Sequence, residues 1–198
     1  MDDLFKEIPE QHRNPALDMP MPIGELELKK NIDHISKKNR VPGDYSCFLG
    51  AGAYNHFIPS LIRAIVSRGE FLTSYTPYQP EASQGTLQAT YEFQSLICEL
   101  TSMEVANAGM YDGATALAEA ALMACRVNKK YKVAALDTIS PIYQEVILTY
   151  LKPQGIEFYL TTPKSINLDD SACLIAQYPN YLGYMEDLSS LSRKTHEN

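Results

Sequence analysis

A loop rich in proline, tyrosine and hydroxyl side chains, residues 73–85, contains the most unusual combination of polar groups in this 198-residue chain. Its two prolines stiffen the backbone, and its hydroxyl, amide and carboxylate groups are of the kinds that converge on a polar ligand. Tyrosine and proline are equally suited to a subunit interface. The residues alone therefore leave two interpretations open, contact with a ligand and contact with another subunit, and the two are compatible.

A second candidate is the tetrapeptide Asp112-Gly113-Ala114-Thr115, which begins the strongest helix-forming segment of the chain. At a helix start, free N–H groups and the positive end of the dipole point outward, and small residues let an anion come close. The same four residues also form an ordinary aspartate N-cap followed by a glycine turn, which is the more frequent arrangement. The pattern thus predicts a helix start and leaves a phosphate site open.

A third pattern, Gly50-Ala51-Gly52-Ala53-Tyr54-Asn55, resembles the glycine-rich loop of Rossmann-type nucleotide binders, with Asn55 in the third glycine position. Glu70 follows at the spacing expected for a ribose ligand, but it comes directly after a predicted helix and not at the end of a second strand. We therefore favour a tight strand-to-helix turn over a nucleotide site.

The remaining reactive side chains form no recognisable catalytic or metal-binding pattern. No two cysteines have the CxxC spacing of zinc or redox sites, and the chain has no GxSxG nucleophile elbow. His56 could stack on a ring or move a proton, although a single histidine near a helix start is more often only hydrogen-bonded. We expect a protein without a metal and with reduced thiols. The cysteines are Cys47, Cys98, Cys125 and Cys173.

Composition narrows the class of protein further. With 45% hydrophobic and 21% charged residues, the chain has enough apolar content for a core. Lys and Arg number 17 against 24 Asp and Glu, which gives a net charge of −7 without a basic patch. This balance predicts no nucleic-acid partner and no anionic membrane surface. The acidic start has no signal-peptide pattern, so we expect a cytoplasmic protein.

The elements that position these candidates follow from hydrophobic periodicity and from proline. Five prolines within residues 1–42 predict an extended N-terminal arm, residues 1–45, with one short helix over residues 25–38. Residues 46–198 predict an α/β fold with a largely parallel sheet. The sequence stops within a predicted helix, so we expect a fragment of a longer domain. The predicted helices span residues 59–69, 83–100, 114–124 and 140–151, and a last helix is predicted to begin at Glu186. The predicted strands span residues 132–137, 156–160 and 173–178.

Three segments together resemble the glycine dehydrogenase (decarboxylating) family, and within it the α subunits of the two-subunit P-protein of the glycine cleavage system. They are Phe48 to Tyr54, Tyr75 to Gly85, and Asn107 to Met123 with its Met-Tyr-Asp-Gly-Ala-Thr-Ala sequence. The resemblance extends over nearly the whole chain and includes Gln177-Tyr178-Pro179-Asn180. Three long motifs in the same order are far more specific than any single glycine pattern.

The resemblance implies the type I fold of pyridoxal-phosphate enzymes, with residues 46–198 forming the N-terminal part of its large domain. The rest of that domain and a small C-terminal domain would lie outside this chain. The reaction implied is decarboxylation of glycine on pyridoxal phosphate, followed by transfer of the aminomethyl group to the lipoyl group of the H protein. A second P-protein subunit is the implied partner, in a heterodimer or a dimer of heterodimers.

The resemblance also assigns roles to individual residues. The lysine that forms the Schiff base with the cofactor belongs to the partner subunit in a His-Lys motif, which this chain lacks, so no catalytic residue is expected here. Asp112, Gly113, Ala114 and Thr115 match the cofactor-phosphate loop of the fold, in a vestigial form. The alternative is a non-catalytic structural partner of the lysine-bearing subunit. The residues expected to reach the shared site are Tyr75, Thr76, Pro77, Tyr78, Gln79 and Glu81.

Overall fold

The computed structural model describes residues 2–13, 15–48, 50–52 and 54–196. The chain divides into two compact units, residues 1–48 and residues 49–198. The sheet and the hydrophobic core both belong to the second unit.

The first unit contains two short 3-10 turns, Asp2–Phe5 and Glu10–His12, and one α-helix, α1, over Glu25–Ser36. No side chain of α1 is buried. The Lys29 ammonium group pairs with the Glu25 carboxylate four residues earlier at 2.6 Å. Such a pair stabilises an exposed helix by about 0.2–0.5 kcal/mol, so local interactions support α1 within this unit.

The second unit is an α/β arrangement, in which the described residues form six α-helices, one short 3-10 helix over Lys152–Gln154 and three strands. Helix α5 begins at an aspartate N-cap and is rich in alanine, the strongest helix former. Helix α6 begins with proline at its first position, where no N–H donor is lost. The helices are α2 (Ser60–Val66), α3 (Gly69–Leu72), α4 (Gln84–Thr101), α5 (Gly113–Asn128), α6 (Pro141–Leu151) and α7 (Leu188–His196), and the strands are β1 (Lys132–Leu136), β2 (Glu157–Thr161) and β3 (Cys173–Ile175).

Strand β1 is the centre of a parallel sheet with the order β2-β1-β3. Val133 pairs with Phe158 on one side and with Cys173 on the other. Because β1 has a neighbour along each edge and helix side chains packed against it, residues 133–136 are fully buried. A strand in this position is expected to be a continuous apolar run, as Val-Ala-Ala-Leu is.

Helices α5 and α6 supply most of the remaining core. Ala118 and Ala121 are the buried positions of α5 that permit a close approach, because their side chains are small. Ile147 and Leu151, four residues apart on one face of α6, are fully buried against the sheet. Truncating such side chains to alanine typically costs about 2–5 kcal/mol. The core therefore holds β1, α5 and α6 as one unit.

Asn180 organises the loop that follows β3. Its side chain is 1% exposed. Its Oδ1 accepts hydrogen bonds from the backbone N–H groups of Leu182 at 3.0 Å and Tyr184 at 2.9 Å. Its Nδ2 donates to the Glu186 carboxylate at 2.8 Å. One buried amide thus satisfies three polar groups of its own loop.

Two hydrogen bonds join this loop to the loop that follows β1. The Ser140 N–H donates to the Gln177 side-chain oxygen at 2.9 Å. The Tyr181 N–H donates to the Thr138 carbonyl at 2.9 Å. Since the two strands are parallel neighbours, their carboxyl ends lie at the same edge of the sheet. The loops at that edge are therefore fixed to each other.

The α/β fold with a parallel sheet is confirmed, but many element boundaries differ from those expected. Helix α5, for example, continues to Asn128, past the expected end at residue 124. The strand expected to reach Tyr178 ends at Ile175, because Gln177 leaves the ladder to accept the hydrogen bond from the α6 N-terminus. The last helix begins at Leu188 and not at Glu186, whose carboxylate is held by Asn180. The helix expected over residues 59–69 ends at Val66, and Gly69 begins α3.

The helices before α5 present apolar side chains to the surface. No residue of α2, α3 or α4 is buried. On α4, Phe93, Leu96 and Leu100 share one face of the helix and are all exposed. Such a face is typical of a helix that packs against another polypeptide segment. Among the described residues, no helix combines the length and apolarity needed to cross a bilayer.

The four cysteines should differ sharply in reactivity towards thiol reagents. Burial raises the pKa of Cys173 to about 11 and also raises the pKa of Cys125. Because the thiolate is the nucleophile, we expect both to resist iodoacetamide in the folded protein at neutral pH. Exposed Cys47 should be labelled first. Peptide mass spectrometry after timed labelling measures this, and labelling of Cys173 as fast as Cys47 would contradict the partly buried position of Cys173 in β3.

Replacing Asn180 should destabilise the second unit. In Asn180→Ala, two backbone N–H groups and a carboxylate lose their buried partner, so we expect the free energy of unfolding to fall by about 2–4 kcal/mol in urea titrations. Asn167 serves as the control, because it is exposed and its side chain accepts one hydrogen bond, from the Asp169 N–H. Equal effects of Asn167→Ala and Asn180→Ala would refute the anchoring role.

Candidate functional site

A cavity of about 580 Å³ lies between α3 and the first turns of α4. Its polar lining is mostly hydroxyl groups, among them those of Thr73, Ser74 and Ser83, with the Glu70 carboxylate at one side. Tyr75 and Thr76, two of the residues predicted to reach a shared site, contribute to the lining. Pro77, Tyr78, Gln79 and Glu81 are not part of it. The cavity suits a polar group that is bound by hydroxyls.

The backbone of residues 73–85 is shaped by its own turns. The Tyr78 N–H donates to the Thr76 carbonyl at 2.9 Å, and the Ala82 N–H donates to the Gln79 carbonyl at 3.1 Å. Tyr75 and Tyr78 are 84% and 82% exposed. Two tyrosines on a loop stiffened by proline therefore point into solvent, where they are free to contact a partner or a shared site.

The charges beside this cavity are paired. The Arg68 guanidinium donates to the Glu70 carboxylate at 2.7 Å and lowers the pKa of that carboxyl group. Glu70 is therefore ionised at neutral pH and is not a general base poised near neutrality. Within the described residues, no group of three or more potential ligands is arranged to hold a metal ion. The cavity offers binding and positioning groups, with no assembled catalytic machinery.

Helix α4 begins without a side-chain cap. Ser83 occupies the N-cap position, yet its hydroxyl makes no capping hydrogen bond. Gly85 and Thr86, in the first turn, line the cavity. Backbone N–H groups of a first turn are unsatisfied unless a cap, water or ligand meets them. This helix start therefore differs from that of α5.

At the start of α5, Asp112 caps its own helix. Its Oδ1 accepts from the Thr115 N–H at 2.8 Å, and its Oδ2 accepts from the Thr115 hydroxyl at 3.0 Å. The Ala116 N–H donates to the Asp112 carbonyl at 3.1 Å. The hydrogen bonds from the Thr115 backbone and hydroxyl lower the pKa of the Asp112 carboxyl group. A carboxylate thus occupies both donors of Thr115 that a phosphate would need, and as arranged these residues do not fit a phosphate group.

One side of Gly113, which is itself exposed, is contacted by the neighbouring helix. A Cβ atom placed on Gly113 would lie 2.8 Å from the Tyr143 hydroxyl oxygen. Tyr143 belongs to the first turn of α6, so the N-terminal ends of α5 and α6 meet here. A larger residue at position 113 would force the Tyr143 hydroxyl to move.

The structure separates the two candidates of the sequence analysis. Tyr75 and Thr76 line the cavity beside α4, whereas none of residues 112–115 lines it. The joined loops at the carboxyl edge of β1 and β3 were not among the sites predicted from the sequence. Ser140 and Gln177 follow two parallel strands, and this position could have indicated the loops, because α/β sheets bind ligands at that edge. The Thr138 hydroxyl at this edge is buried without a hydrogen-bond partner.

The glycine-rich pattern does not form a nucleotide-binding turn. Ala53 and Leu49 lie outside the described residues. Gly50 and Gly52 adopt positive φ angles of +61° and +88°, but the next helix, α2, begins only at Ser60. A dinucleotide site needs the helix start directly at the glycines, so that its N–H groups meet the pyrophosphate. The Rossmann alternative therefore lacks its structural context.

Comparison with known proteins assigns the chain to a family. The family model described as "Glycine cleavage system P-protein" matches residues 1–198. A protein of Desulfitobacterium hafniense named "Probable glycine dehydrogenase (decarboxylating) subunit 1" is 47% identical over 99% of this chain and 46% of its own length. A protein of the same name from Thermomicrobium roseum is 44% identical, with the same coverage of 99% and 46%.

A solved structure agrees with these relatives. A crystal structure of glycine decarboxylase (P-protein) of the glycine cleavage system, in inhibitor-bound form, matches with a TM-score of 0.91 and 38% identity. The match covers 100% of this chain and 46% of that chain. The chain thus spans about half the length of the proteins it matches. On this evidence of sequence and fold, the chain belongs to the glycine cleavage system P-protein family.

Proposed function

We propose that this chain serves as part of subunit 1 of a glycine-decarboxylating P-protein and that its loop of residues 75–81 completes a site shared with a second subunit. The observation that carries the proposal is the match over the whole chain to proteins named as subunit 1. The exposed Tyr75 and Tyr78 support it, because they are placed to contact groups outside this chain.

The reaction proposed is decarboxylation of glycine with transfer of the aminomethyl group to the lipoyl group of the H protein. When bound, pyridoxal phosphate supplies the electron sink for the loss of CO2. This chain has no His-Lys motif to hold that cofactor covalently. We therefore place the Schiff-base lysine and most cofactor contacts in the second subunit, within a heterodimer or a dimer of heterodimers in the cytoplasm, where free thiols stay reduced.

In this proposal the role of the chain is binding and positioning. The hydroxyls of Thr73, Ser74 and Thr76 can hold polar groups of a substrate or of the partner. Tyr78 and Glu81 extend from the loop, so they are available at the shared site. Glycine and the lipoylated H protein are the proposed ligands, and the net charge of −7 is unsuited to a nucleic-acid partner.

A second function, structural support without a contribution to the site, is favoured by one observation. Helices α2 and α4 expose apolar faces and bury no residue of their own. A lysine-bearing subunit that covers these faces would gain stability whether or not the loop reached its active site. The two functions predict different results for loop variants.

Replacing Tyr78 or Glu81 by alanine should lower decarboxylation while leaving assembly intact. The test uses the complex of this chain with the lysine-bearing subunit, CO2 release from carboxyl-labelled glycine with lipoylated H protein, and copurification of the subunits. We expect a loss of about tenfold or more in rate, since misplaced positioning groups commonly cost that much.

Tyr131→Ala is the matched control, because Tyr131 is an exposed tyrosine of the same unit outside the loop. It should retain full rate. Wild-type rates in both loop variants would favour the structural-support function, and failure of the two subunits to copurify would contradict both functions.

A further inference from the structure

We propose that the N-terminal end of α5 is closed to phosphate in this chain, because the Asp112 carboxylate takes the place that the phosphate group of a cofactor would take. The inference deepens the proposed function, on which it rests for the identity of the cofactor. It concerns a property of this chain alone, and that property is measured without any enzyme activity.

The first argument is the use of the available donors. A phosphate at a helix start is held by N–H groups of the first turn and by nearby hydroxyls. Here the Thr115 N–H and the Thr115 hydroxyl both donate to the Asp112 carboxylate, at 2.8 and 3.0 Å. The Ala116 N–H donates to the Asp112 carbonyl. A phosphate would have to displace both hydrogen bonds from Thr115 to the carboxylate.

The second argument is charge. The carboxylate lies where the positive end of the helix dipole favours one anion. A phosphate brought to the same donors would stand beside a like charge at contact distance, which opposes binding. The Asp112 carboxylate therefore already neutralises the positive end of the α5 dipole.

The third argument is space. The Tyr143 hydroxyl lies 2.8 Å from the position of a Cβ atom on Gly113. Glycine at the first helical position would otherwise leave room for a ligand close to the backbone. In this chain, the Tyr143 side chain of α6 lies on that side of the backbone. Charge and this contact thus both oppose a phosphate at the same helix end.

The chain offers a matched control at another helix start. Asp187 precedes α7, and its Oδ1 accepts from the Ser190 N–H at 3.2 Å. The Leu191 N–H donates to the Asp187 carbonyl at 3.2 Å. Removing this charge tests whether any aspartate-capped helix end of the chain gains phosphate affinity when neutralised.

The experiment is a titration of the purified 198-residue chain with inorganic phosphate, followed by calorimetry and phosphorus NMR. The native chain, Asp112→Asn and Asp187→Asn are compared. Asparagine caps helices as well as aspartate does, so Asp112→Asn keeps the cap and loses only the charge. Circular dichroism verifies that each variant is folded.

We expect no saturable binding by the native chain or by Asp187→Asn at millimolar phosphate, and binding at least about tenfold tighter by Asp112→Asn. Saturable binding by the native chain that equals that of Asp112→Asn would overturn the inference. So would a gain no larger in Asp112→Asn than in Asp187→Asn. If the loop variants fail to affect decarboxylation but Asp112→Asn gains phosphate, the shared-site function fails while the closed helix end stands.

Discussion

The burial of β1 is the constraint on which the rest of the second unit depends. This strand pairs in parallel with both neighbours, and residues 133–136 have no contact with solvent. Helices α5 and α6 must therefore present small or branched apolar side chains to it, as Ala118 and Ile147 do. Once the strand is fixed, the loops that follow β1 and β3 have to leave the sheet at the same edge. The apolar core therefore fixes where the loops that carry the polar groups of this edge begin.

The polar groups at this edge largely form hydrogen bonds within the chain, which hold its loops and helix ends in place. Gln177 accepts a hydrogen bond from the N–H of Ser140, the residue just before α6, and Asn180 binds three groups of its own loop. Asp112 likewise satisfies the start of α5. In many α/β enzymes, this edge binds the ligand. Here the described donors and acceptors are mostly paired within the chain.

In the loop of residues 73–85, by contrast, prominent side chains are exposed and are not bonded within the chain's interior. Its backbone is held by turns, while Tyr75 and Tyr78 remain exposed. The neighbouring helices α2 and α4 also leave their apolar faces uncovered. A rigid loop with free aromatic side chains beside uncovered apolar helices has the composition of an interface core. The exposed side chains of this loop thus contrast with the internally paired groups at the edge of the sheet.

Local patterns in the sequence determined the parallel α/β architecture, the start of α5 and the start of α6, because helix caps and apolar periodicity act over three or four residues. The family resemblance also followed from the order of long motifs. Only the tertiary structure decided whether Asp112-Gly113-Ala114-Thr115 binds a phosphate or forms an aspartate N-cap, since the same four residues are compatible with both. Tyr143, 30 positions from Gly113, also contacts this glycine and so adds to the difference between the two arrangements. Likewise, the end of β3 depends on Ser140, a partner 37 residues from Gln177, and no local pattern can specify a contact over that distance.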